Sequence, residues 1–434
     1  MSARELPHWM RHSARLRALR GAMLYADLQR TFVGERCLLV SADAPRQVLA
    51  EARTTGFDDA GSVLCLMGET QGLPRDTWVV PTGRAANLQF DTSLLGAVLD
   101  GAGRIVGRLA PARETWQAPR ELDLEAPPPA LARREAVSRL FETGVRCIDG
   151  LASCGVGQRV GIFAPAGAGK TSLITMLLAH ARAQRFVIAL VGERGREASE
   201  FVASQVPEAI RERTVLVCST SDRPAAERRN AAHIAFALAE HFRAQGEEVL
   251  LVLDSMTRYA RALREMALAA GEKPARRGYP ASVFDALPRL LERAGALQGG
   301  GAITAFLTVL LEDAEHGDPI AEEIRSIVDG HLYLSRKLAD RAHFPAIDAL
   351  GSASRVMGRV ADSAHREAAA ALRGRLARLD DLQLALDLGE YRPGVDPDTD
   401  ALLAARPAIE AWLCQDMNEF SPFAATVERI NALL

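Results

Sequence analysis

The octapeptide APAGAGKT at positions 164–171 constrains the fold of this chain more than any other feature. An apolar run at 160–163 precedes it, and apolar residues at helical spacing follow it over 172–183. A strand, a glycine-containing turn, Lys-Thr and a helix form the layout of a phosphate-binding loop. Glycines allow the turn that points backbone N–H groups inward, and the helix offers its positive end to the phosphates. The sequence therefore predicts a site for a nucleoside triphosphate.

The residues of this loop have distinct expected roles. Lys170 is predicted to reach the β- and γ-phosphates, and the Thr171 hydroxyl is predicted to bind Mg²⁺. The general pattern begins with glycine, and Ala164 occupies that position here. The alternative is an ordinary glycine-containing turn between a strand and a helix, which Gly-Lys-Thr in this context disfavours. The predicted nucleotide-binding residues of the loop are Ala166, Gly167, Ala168, Gly169, Lys170, Thr171 and Ser172.

Composition limits the classes of function. The chain has 434 residues, more than one domain usually holds, and its hydrophobic fraction of 48% is ample for packed cores. A net charge of −3 argues against a nucleic-acid binder held mainly by charge. The six cysteines form no CxxC pair, so we expect neither a zinc site nor a disulfide framework, and a reducing, cytoplasmic setting. No uncharged apolar run approaches the roughly 20 residues that span a bilayer.

Apolar runs alternate with helical patterns from about position 143. Candidate buried strands lie at 160–163, 186–191, 214–218, 249–253, 303–310 and 331–334. This alternation predicts an α/β fold with a parallel sheet that is covered on both faces. The ligand of such a sheet binds at the carboxyl ends of the strands, where the loop 164–171 lies. Beyond about position 358 the strand pattern stops, and the remaining sequence predicts helices at 361–384, 399–412 and 423–434.

The sequence ahead of this α/β region has a different pattern. Short β-rich runs with turn signals predict a small β-barrel; examples lie at 36–40, 62–67 and 77–80. Residues 1–22 carry five arginines among apolar residues, which is typical either of an amphipathic helix for a membrane surface or partner, or of a frayed polar arm. The expected division is an arm at 1–22, a β-barrel at 23–92, a nucleotide-binding domain at 93–358 and a helical domain at 359–434.

Two carboxylates follow predicted strands of the α/β region. Asp254 ends the apolar run at 249–253, where an aspartate can hold the Mg²⁺ shell through water. Its alternative role is the N-cap of the next helix. Glu193 follows the run at 186–191, where a carboxylate can orient and deprotonate the water that attacks a γ-phosphate. Its alternative is membership of a charged surface cluster.

Longer segments carry a resemblance to a known family. They are GERGREASEF at 192–201, LDSMTRYARALREM at 253–266, GEKPARRGYPASVFDALPRLLERAG at 271–295 and FPAIDALGSASRVM at 344–357. Together they resemble the ATPases of bacterial type III secretion and flagellar export, which are relatives of the rotary ATP synthase catalytic subunit. VVPTGR, TGVRCIDGL, RPAIEAWL and SPF are similar as well, so the resemblance covers nearly the whole chain. The first 74 residues are the least similar part, and alanine at position 164 is usual in that family.

This resemblance implies a fold and a set of catalytic positions. The fold is a P-loop, RecA-like core of parallel strands between a small N-terminal β-barrel and a C-terminal helical domain. Lys170 and Thr171 keep their phosphate and Mg²⁺ roles. Glu193 matches the family's catalytic carboxylate, with Arg194 following it as usual, and Asp254 matches the aspartate of the Mg²⁺ shell.

Three further positions are implied by the same resemblance. Arg258 matches an arginine that lies near the γ-phosphate, and Phe344 falls where an aromatic ring stacks on adenine. Arg355 matches an arginine finger that reaches into the site of a neighbouring subunit. The alternative for Arg355 is a structural arginine that pairs with a local carboxylate.

The implied function is ATP hydrolysis that powers protein export through a type III apparatus, with chaperone release and unfolding of export substrates. A finger that acts in trans needs a head-to-tail interface that closes, so a ring is expected, in the form of a homohexamer. The expected cofactors are ATP and Mg²⁺. Expected partners are a stator-like regulator, a central stalk and chaperone–effector complexes, with peripheral membrane association and no nucleic acid. The expected location is the cytoplasmic face of the bacterial inner membrane.

Three alternatives stay open from the sequence. The first is a flagellar export ATPase, although flagellar loops tend to end in Gly-Lys-Ser. The second is a hexameric RNA-binding helicase, which also has a small β domain but needs aromatic and basic runs in it. The third is a nucleotide-binding regulator without turnover, which the presence of Glu193 disfavours.

Overall fold

A computed structural model of the chain describes residues 12–59, 61–112, 118–311, 317–392, 394 and 396–434. The described residues form a closed β-barrel, a large sheet layered with helices, and a helical C-terminal part. The predicted α/β class, with a barrel before the nucleotide-binding core and helices after it, is therefore confirmed.

Six antiparallel strands close the N-terminal barrel in the order β1-β2-β5-β4-β3-β6. Leu24, Leu39, Leu64 and Val79 fill its interior and are fully buried. The strands are β1 (Ala14–Arg20), β2 (Met23–Ala26), β3 (Glu35–Val40), β4 (Val48–Asp58), β5 (Gly61–Leu66) and β6 (Trp78–Ala85).

The structure corrects the prediction for the N-terminal arm. Residues 14–20 are neither a helix nor a frayed segment, because β1 pairs with β2 on one side and with β6 on the other. Along β1, half-buried Ala14, Leu16 and Ala18 alternate with exposed residues, the first two of which are arginines. This period of two indicates a strand, whereas the number of arginines had favoured an amphipathic helix or a polar arm. Residues 1–11, which complete the expected arm, lie outside the described residues.

The central sheet follows the order β21-β20-β14-β19-β17-β15-β16-β8-β9, and its neighbours from β20 to β8 are parallel. Each of the six predicted strands of the α/β region is present in it. The strands after the barrel are β7 (Asn87–Phe90), β8 (Ala97–Leu99), β9 (Ile105–Arg108), β10 (Arg120–Asp123), β11 (Arg134–Glu135), β12 (Leu140–Phe141), β13 (Cys154–Gly155), β14 (Arg159–Pro165), β15 (Arg185–Val191), β16 (Thr214–Ser219), β17 (Glu248–Asp254), β18 (Gly295–Leu297), β19 (Ala302–Leu311), β20 (Gly330–Tyr333) and β21 (Ala353–Ser354).

Helices cover both faces of this sheet and continue beyond it. They are α1 (Arg146–Leu151), α2 (Lys170–His180), α3 (Gly195–Glu200), α4 (Glu208–Arg211), α5 (Ala225–Ala244), α6 (Met256–Ala269), α7 (Ala281–Leu291), α8 (Pro319–Ile327), α9 (Arg336–Asp340), α10 (Met357–Val360), α11 (Ser363–Asp387), α12 (Pro397–Leu413) and α13 (Phe423–Ala432). Among the described residues, no helix combines the length and the apolar character that crossing a bilayer requires.

Two apolar cores lie on opposite faces of the sheet. Side chains of β15 alternate between them, so Ile188 belongs to one core and Val187 to the other. The core that contains Ile188 extends without interruption into the C-terminal helices, through Leu372 of α11 and Trp412 of α12. The C-terminal helices are thus packed directly against the nucleotide-binding part.

A partly buried ionic cluster joins the barrel to the helices of the sheet. Glu125 accepts hydrogen bonds from Arg53 of β4 at 2.6 Å and from both terminal nitrogens of Arg229 of α5 at 2.6 and 2.9 Å. His233, also on α5, contacts the Leu124 carbonyl oxygen and the Tyr259 hydroxyl through its two ring nitrogens, at 2.9 and 3.0 Å. Burial, and next the Arg229 guanidinium, hold the pKa of His233 well below its ordinary value, and this outweighs the opposite effect of Glu125.

We expect this histidine to make the fold sensitive to mild acid. The unfolded chain takes up a proton at His233 below about pH 6.5, whereas the folded chain does not. The stabilisation is therefore complete above about pH 6.5 and is lost as the pH falls, by up to about 1.4 kcal/mol per pH unit. Thermal unfolding midpoints measured from pH 7.5 to 5.5 should fall less steeply for His233→Gln than for the parental chain. Equal slopes for the two proteins would contradict this assignment.

Candidate active site

The predicted phosphate loop connects the central strand β14 to α2. Gly167 and Gly169 adopt φ values of 79° and 82°, which residues with a β-carbon rarely adopt. Gly169 stands at the N-cap of α2, so the first N–H groups of the helix border the loop. Ala166, Gly167 and Thr171 are exposed to the cleft, whereas Ala168 is buried beneath it. The loop therefore has the backbone geometry that a polyphosphate requires.

Lys170 lies at the centre of a compact cluster of opposite charges. Its Nζ atom lies 2.5 Å from Asp254 Oδ1 and 3.2 Å from Glu193 Oε1. Burial acts to lower the pKa of Lys170, but the two carboxylates act in the other direction and the net result is a raised pKa. Lys170 is thus a fixed positive charge, and its two partners come from strands that lie far apart in the sequence.

Asp254 is the last residue of β17, at the carboxyl edge of the sheet. Its Oδ1 atom also accepts a hydrogen bond of 2.6 Å from the buried hydroxyl of Thr308 on β19. The alternative role as a helix N-cap is wrong, because Ser255 caps α6 and accepts the Arg258 N–H. Asp254 therefore points its carboxylate at the phosphate loop.

Glu193 lies just beyond β15 and is almost fully buried. Its Oε2 atom lies 3.2 Å from Arg258 Nη2, and Arg258 also donates to the Gly192 carbonyl oxygen. Burial, and next the Asp254 carboxylate, raise the pKa of Glu193 despite the opposing effects of Lys170 and Arg258. A raised pKa makes a carboxylate a stronger base, which suits a group that takes a proton from water. Its burial also contradicts the alternative of a charged surface cluster.

Arg194 has a different environment from Glu193. Its side chain is 77% exposed and reaches Glu197 at 3.5 Å, so it borders the cleft without joining the buried cluster. Arg194 and Glu197 thus form a surface ion pair of the kind that the sequence allowed as an alternative for this charged region.

The donor set at the cleft suits a hydrated divalent cation that is shared with phosphates. No group of three or more His, Cys, Asp or Glu side chains positioned to hold a metal was found in the described part of the chain. Mg²⁺ usually takes one or two protein oxygens and fills its other positions with water and phosphate. Thr171 at the start of α2 and Asp254 opposite it offer such oxygens on the same cleft.

The cleft itself has a volume of about 540 Å³ and runs from the phosphate loop to α3. Its far wall contains side chains that the sequence did not single out, among them Phe201 and Gln205. Gln205 accepts a hydrogen bond of 2.6 Å from Thr175 of α2. Neither residue carries a local sequence signal, whereas Thr308 was detectable as a polar residue inside an apolar run.

A second cavity, of about 480 Å³, adjoins the first one at Ser172. Phe344 lines it, and a β-carbon added at Gly169 would lie 3.3 Å from the Phe344 ring. The opposite wall comes from the segment after α12, including Gln415 and Met417. Gln415 donates its backbone N–H to the Phe344 carbonyl oxygen at 2.8 Å. An aromatic ring beside the phosphate loop is consistent with the stacking role that the resemblance implies for Phe344.

Arg355 lies at the other end of β14. Gly330 pairs with Val160 on one side and with Ser354 on the other, so Arg355 adjoins the amino end of the strand. At a rise of ~3.3 Å per residue, the stretch from Val160 to Pro165 spans roughly 17 Å. This distance exceeds the length of an arginine side chain. The structure therefore does not bring Arg355 to Lys170 and Glu193 of the same chain.

The side chain of Arg355 is exposed and donates to the Arg325 carbonyl oxygen at 3.3 Å. No carboxylate within the described ranges forms an ion pair with it, which contradicts the alternative of a local structural pair.

Three features lie at one edge of the parallel sheet: a phosphate loop, the aspartate that ends a strand, and a buried glutamate whose pKa is raised. Together they define an enzyme of the P-loop nucleotide hydrolase class.

Comparisons with known proteins narrow this class. Residues 144–354 match the nucleotide-binding domain of the ATP synthase alpha/beta family, and residues 361–432 match the T3SS EscN ATPase C-terminal domain. The SPI-1 type 3 secretion system ATPase of Salmonella typhi is 51% identical over 426 residues, which cover 98% of both chains. The flagellum-specific ATP synthase of Pseudomonas aeruginosa is 40% identical, with 97% of this chain and 92% of the relative covered.

Solved structures that are similar to this chain also come from type III secretion ATPases. The assembled ATPase EscN from the enteropathogenic E. coli type III secretion system has a TM-score of 0.89 at 40% identity, covering 97% of this chain and 99% of the other. The same ATPase in complex with its central stalk EscO has a TM-score of 0.86 at 39% identity, with equal coverage. The chain belongs to the type 3 secretion system ATPase family and is an ATP-hydrolysing enzyme.

Proposed function

We propose that this chain is the ATP-driven motor of a type III protein export apparatus, active as a ring, and that Lys170, Glu193 and Asp254 form its catalytic centre. The observation that carries the proposal is the buried Glu193 carboxylate, which lies 3.2 Å from the Lys170 ammonium group. A subunit that only binds nucleotide needs no general base at the position of Glu193, whereas a subunit that hydrolyses nucleotide does.

The proposed chemistry uses each member of the cluster for one task. When ATP binds, its phosphates replace the carboxylates as the partners of the Lys170 ammonium group. The backbone N–H groups from Ala166 to Ser172 surround the phosphates. Thr171 and Asp254 would hold Mg²⁺, which would supply positive charge to neutralise the phosphate oxygens. Glu193 orients the attacking water and accepts its proton, and Arg258 keeps the Glu193 side chain in position.

The location of Arg355 supports a ring. Because Arg355 is a strand length away from its own phosphate loop, we propose that it completes the site of an adjacent copy. The arrangement is heterologous, and such an interface forms a ring when its rotation closes, so we propose a closed ring of six identical subunits. The assembled state of the relative EscN supports this proposal.

The proposed partners follow the same family. EscN has been solved with its central stalk EscO, and we propose a corresponding stalk for this ring. A stator-like regulator and chaperone–effector complexes complete the set, at the cytoplasmic face of the inner membrane. The proposed task of hydrolysis is the release of chaperones and the unfolding of export substrates.

A flagellar export ATPase is the second candidate, because a flagellar relative is 40% identical. The SPI-1 relative is 51% identical, and this difference favours secretion over flagellar assembly. Genetic complementation separates the two candidates, since one restores secretion of effector proteins and the other restores motility.

Assembly-dependent activity is the first test of the proposal. The specific ATPase activity should rise with protein concentration and then level off, because each site becomes complete only when a neighbour docks. Phosphate release and particle mass should be measured on the same samples. A specific activity that stays constant while monomers convert to rings would contradict a shared site.

The export role needs a cellular measurement. In a strain that lacks its own type III secretion ATPase, the parental chain should restore secretion of effectors and Lys170→Ala should not. Restored secretion by Lys170→Ala would show that hydrolysis at this loop does not drive export.

A further inference from the structure

Arg325 lies next to Arg355 on an exposed surface, where its backbone contacts the Arg355 guanidinium. The Arg355 guanidinium donates to the carbonyl oxygen of Arg325, which is in the last turn of α8. Both side chains are exposed, and neither forms an ion pair within the part of the chain that the structure describes. Nearby Arg159 behaves differently, because its guanidinium pairs with both Asp329 and Glu292.

Both arginines act electrostatically on a neighbouring histidine. His331 of β20 is adjacent, and burial, then Arg355 and then Arg325 lower its pKa. The Asp329 carboxylate does not offset the two positive charges, since Arg159 occupies it at 2.9 Å. Two neighbouring cations beside a carboxylate that is already paired with Arg159 form a surface that favours anions.

The backbone beneath this surface is held by several hydrogen bonds. The Arg355 N–H donates to the Asp329 carbonyl oxygen at 2.8 Å. The fully buried side chain of Gln158 donates to the same carbonyl oxygen and to Ser354 Oγ, both at 3.1 Å. The position of Arg355 relative to α8 is therefore fixed before any anion arrives, which reduces the entropic cost of binding one.

We propose that Arg325 is a second residue that acts in trans, and that it binds the phosphates of the ATP held by the adjacent subunit, beside Arg355. This inference rests on the proposed function, because it requires that Arg355 faces a neighbouring site. The ligand is the triphosphate of a bound nucleotide. A cation that contacts the phosphates in both the ground state and the transition state changes KM more than kcat.

The expected effects separate Arg325 from a structural residue. Arg325→Ala should raise the KM for ATP about 10-fold, the loss of one charge-assisted contact, with a smaller change in kcat. Arg325→Lys should recover part of the affinity because it keeps the charge. Arg289→Ala, which removes an exposed arginine from the last turn of α7, is the matched control and should retain the parental KM.

A mixing experiment tests whether the effect acts across the interface. Lys170→Ala subunits cannot use their own site but still present an intact Arg325 to a neighbour. Adding them to Arg325→Ala subunits should therefore lower the KM of the mixture toward the parental value. Co-purification through an affinity tag carried only by the Lys170→Ala subunits confirms that mixed rings form, and an excess of Lys170→Ala subunits supports assembly if Arg325→Ala assembles poorly alone.

The outcomes distinguish this inference from the proposed function. An unchanged KM for Arg325→Ala, together with loss of turnover in Arg355→Ala, would overturn only the role of Arg325. A raised KM that does not fall on mixing would also overturn it, since the effect would then lie within one chain. Normal turnover by Arg355→Ala would overturn the shared site itself.

Discussion

Glu193→Gln is expected to bind MgATP with near-parental affinity while kcat falls about 10²- to 10⁴-fold. The amide keeps the length of the side chain and an oxygen for Lys170, which lies 3.2 Å from the carboxylate. It cannot accept a proton from water, so the base is lost without a change of shape. Removing one of two neighbouring negative charges also frees Lys170 and Arg258 for phosphate, which works against any loss of affinity.

Binding and turnover must be measured separately to test this expectation. Titration with a fluorescent MgATP analogue gives the affinity, and single-turnover phosphate release gives the chemical rate. Glu197→Gln is the matched control, because Glu197 lines the same cleft but its exposed side chain pairs with Arg194. If Glu193→Gln lost its affinity for MgATP, or if Glu197→Gln lost as much turnover, Glu193 would be a structural residue.

Two inactive variants are expected to restore activity to each other. Arg355→Ala alone should lose about 10³- to 10⁵-fold in turnover, the range found for arginine fingers. Lys170→Ala alone should lose ATP binding and turnover, because the loop loses the charge that faces the phosphates. In randomly mixed rings at equal amounts, about one quarter of the interfaces join an intact Lys170 site to an intact Arg355.

The recovered activity has an upper limit that makes the experiment quantitative. If sites act independently, the mixture should reach up to about one quarter of the parental turnover. Mixing Lys170→Ala with Glu193→Gln is the control, since both lesions lie in one site and no interface of that mixture is complete. Absence of recovery in cross-linked mixed rings would overturn the proposal that Arg355 completes the site of an adjacent subunit.

The sequence predicted the parts of the site that depend on local pattern. The phosphate loop, the strand ends at Asp254 and Glu193 and the strands themselves follow from short apolar runs and the residues after them. The resemblance supplied Arg258, Phe344 and Arg355, which no local pattern distinguishes from other arginines and aromatic residues. Their positions in the fold needed the structure.

Other features were beyond the reach of the sequence because they join distant segments. Gln415 borders the cavity beside Phe344 only because the segment after α12 folds back onto the sheet, 71 positions further along the chain. Thr308 is noticeable in the sequence as a polar residue in an apolar run, but its contact with Asp254 arises only from the pairing of β19 with β17. The prediction for β1 was wrong for another reason: it rested on the number of arginines, whereas the alternation of half-buried and exposed residues indicates a strand.

The two ends of β14 have a consequence for the direction of the motor. β14 is held on both sides by β19 and β20. The nucleotide loop of the same chain lies at its carboxyl end, and the strand that precedes Arg355 lies near its amino end. If Arg355 acts in trans as proposed, every subunit has a receiving side and a giving side, and these cannot be exchanged. A ring of such units would have an intrinsic handedness, because each nucleotide site would receive its arginine from the neighbour on one side only.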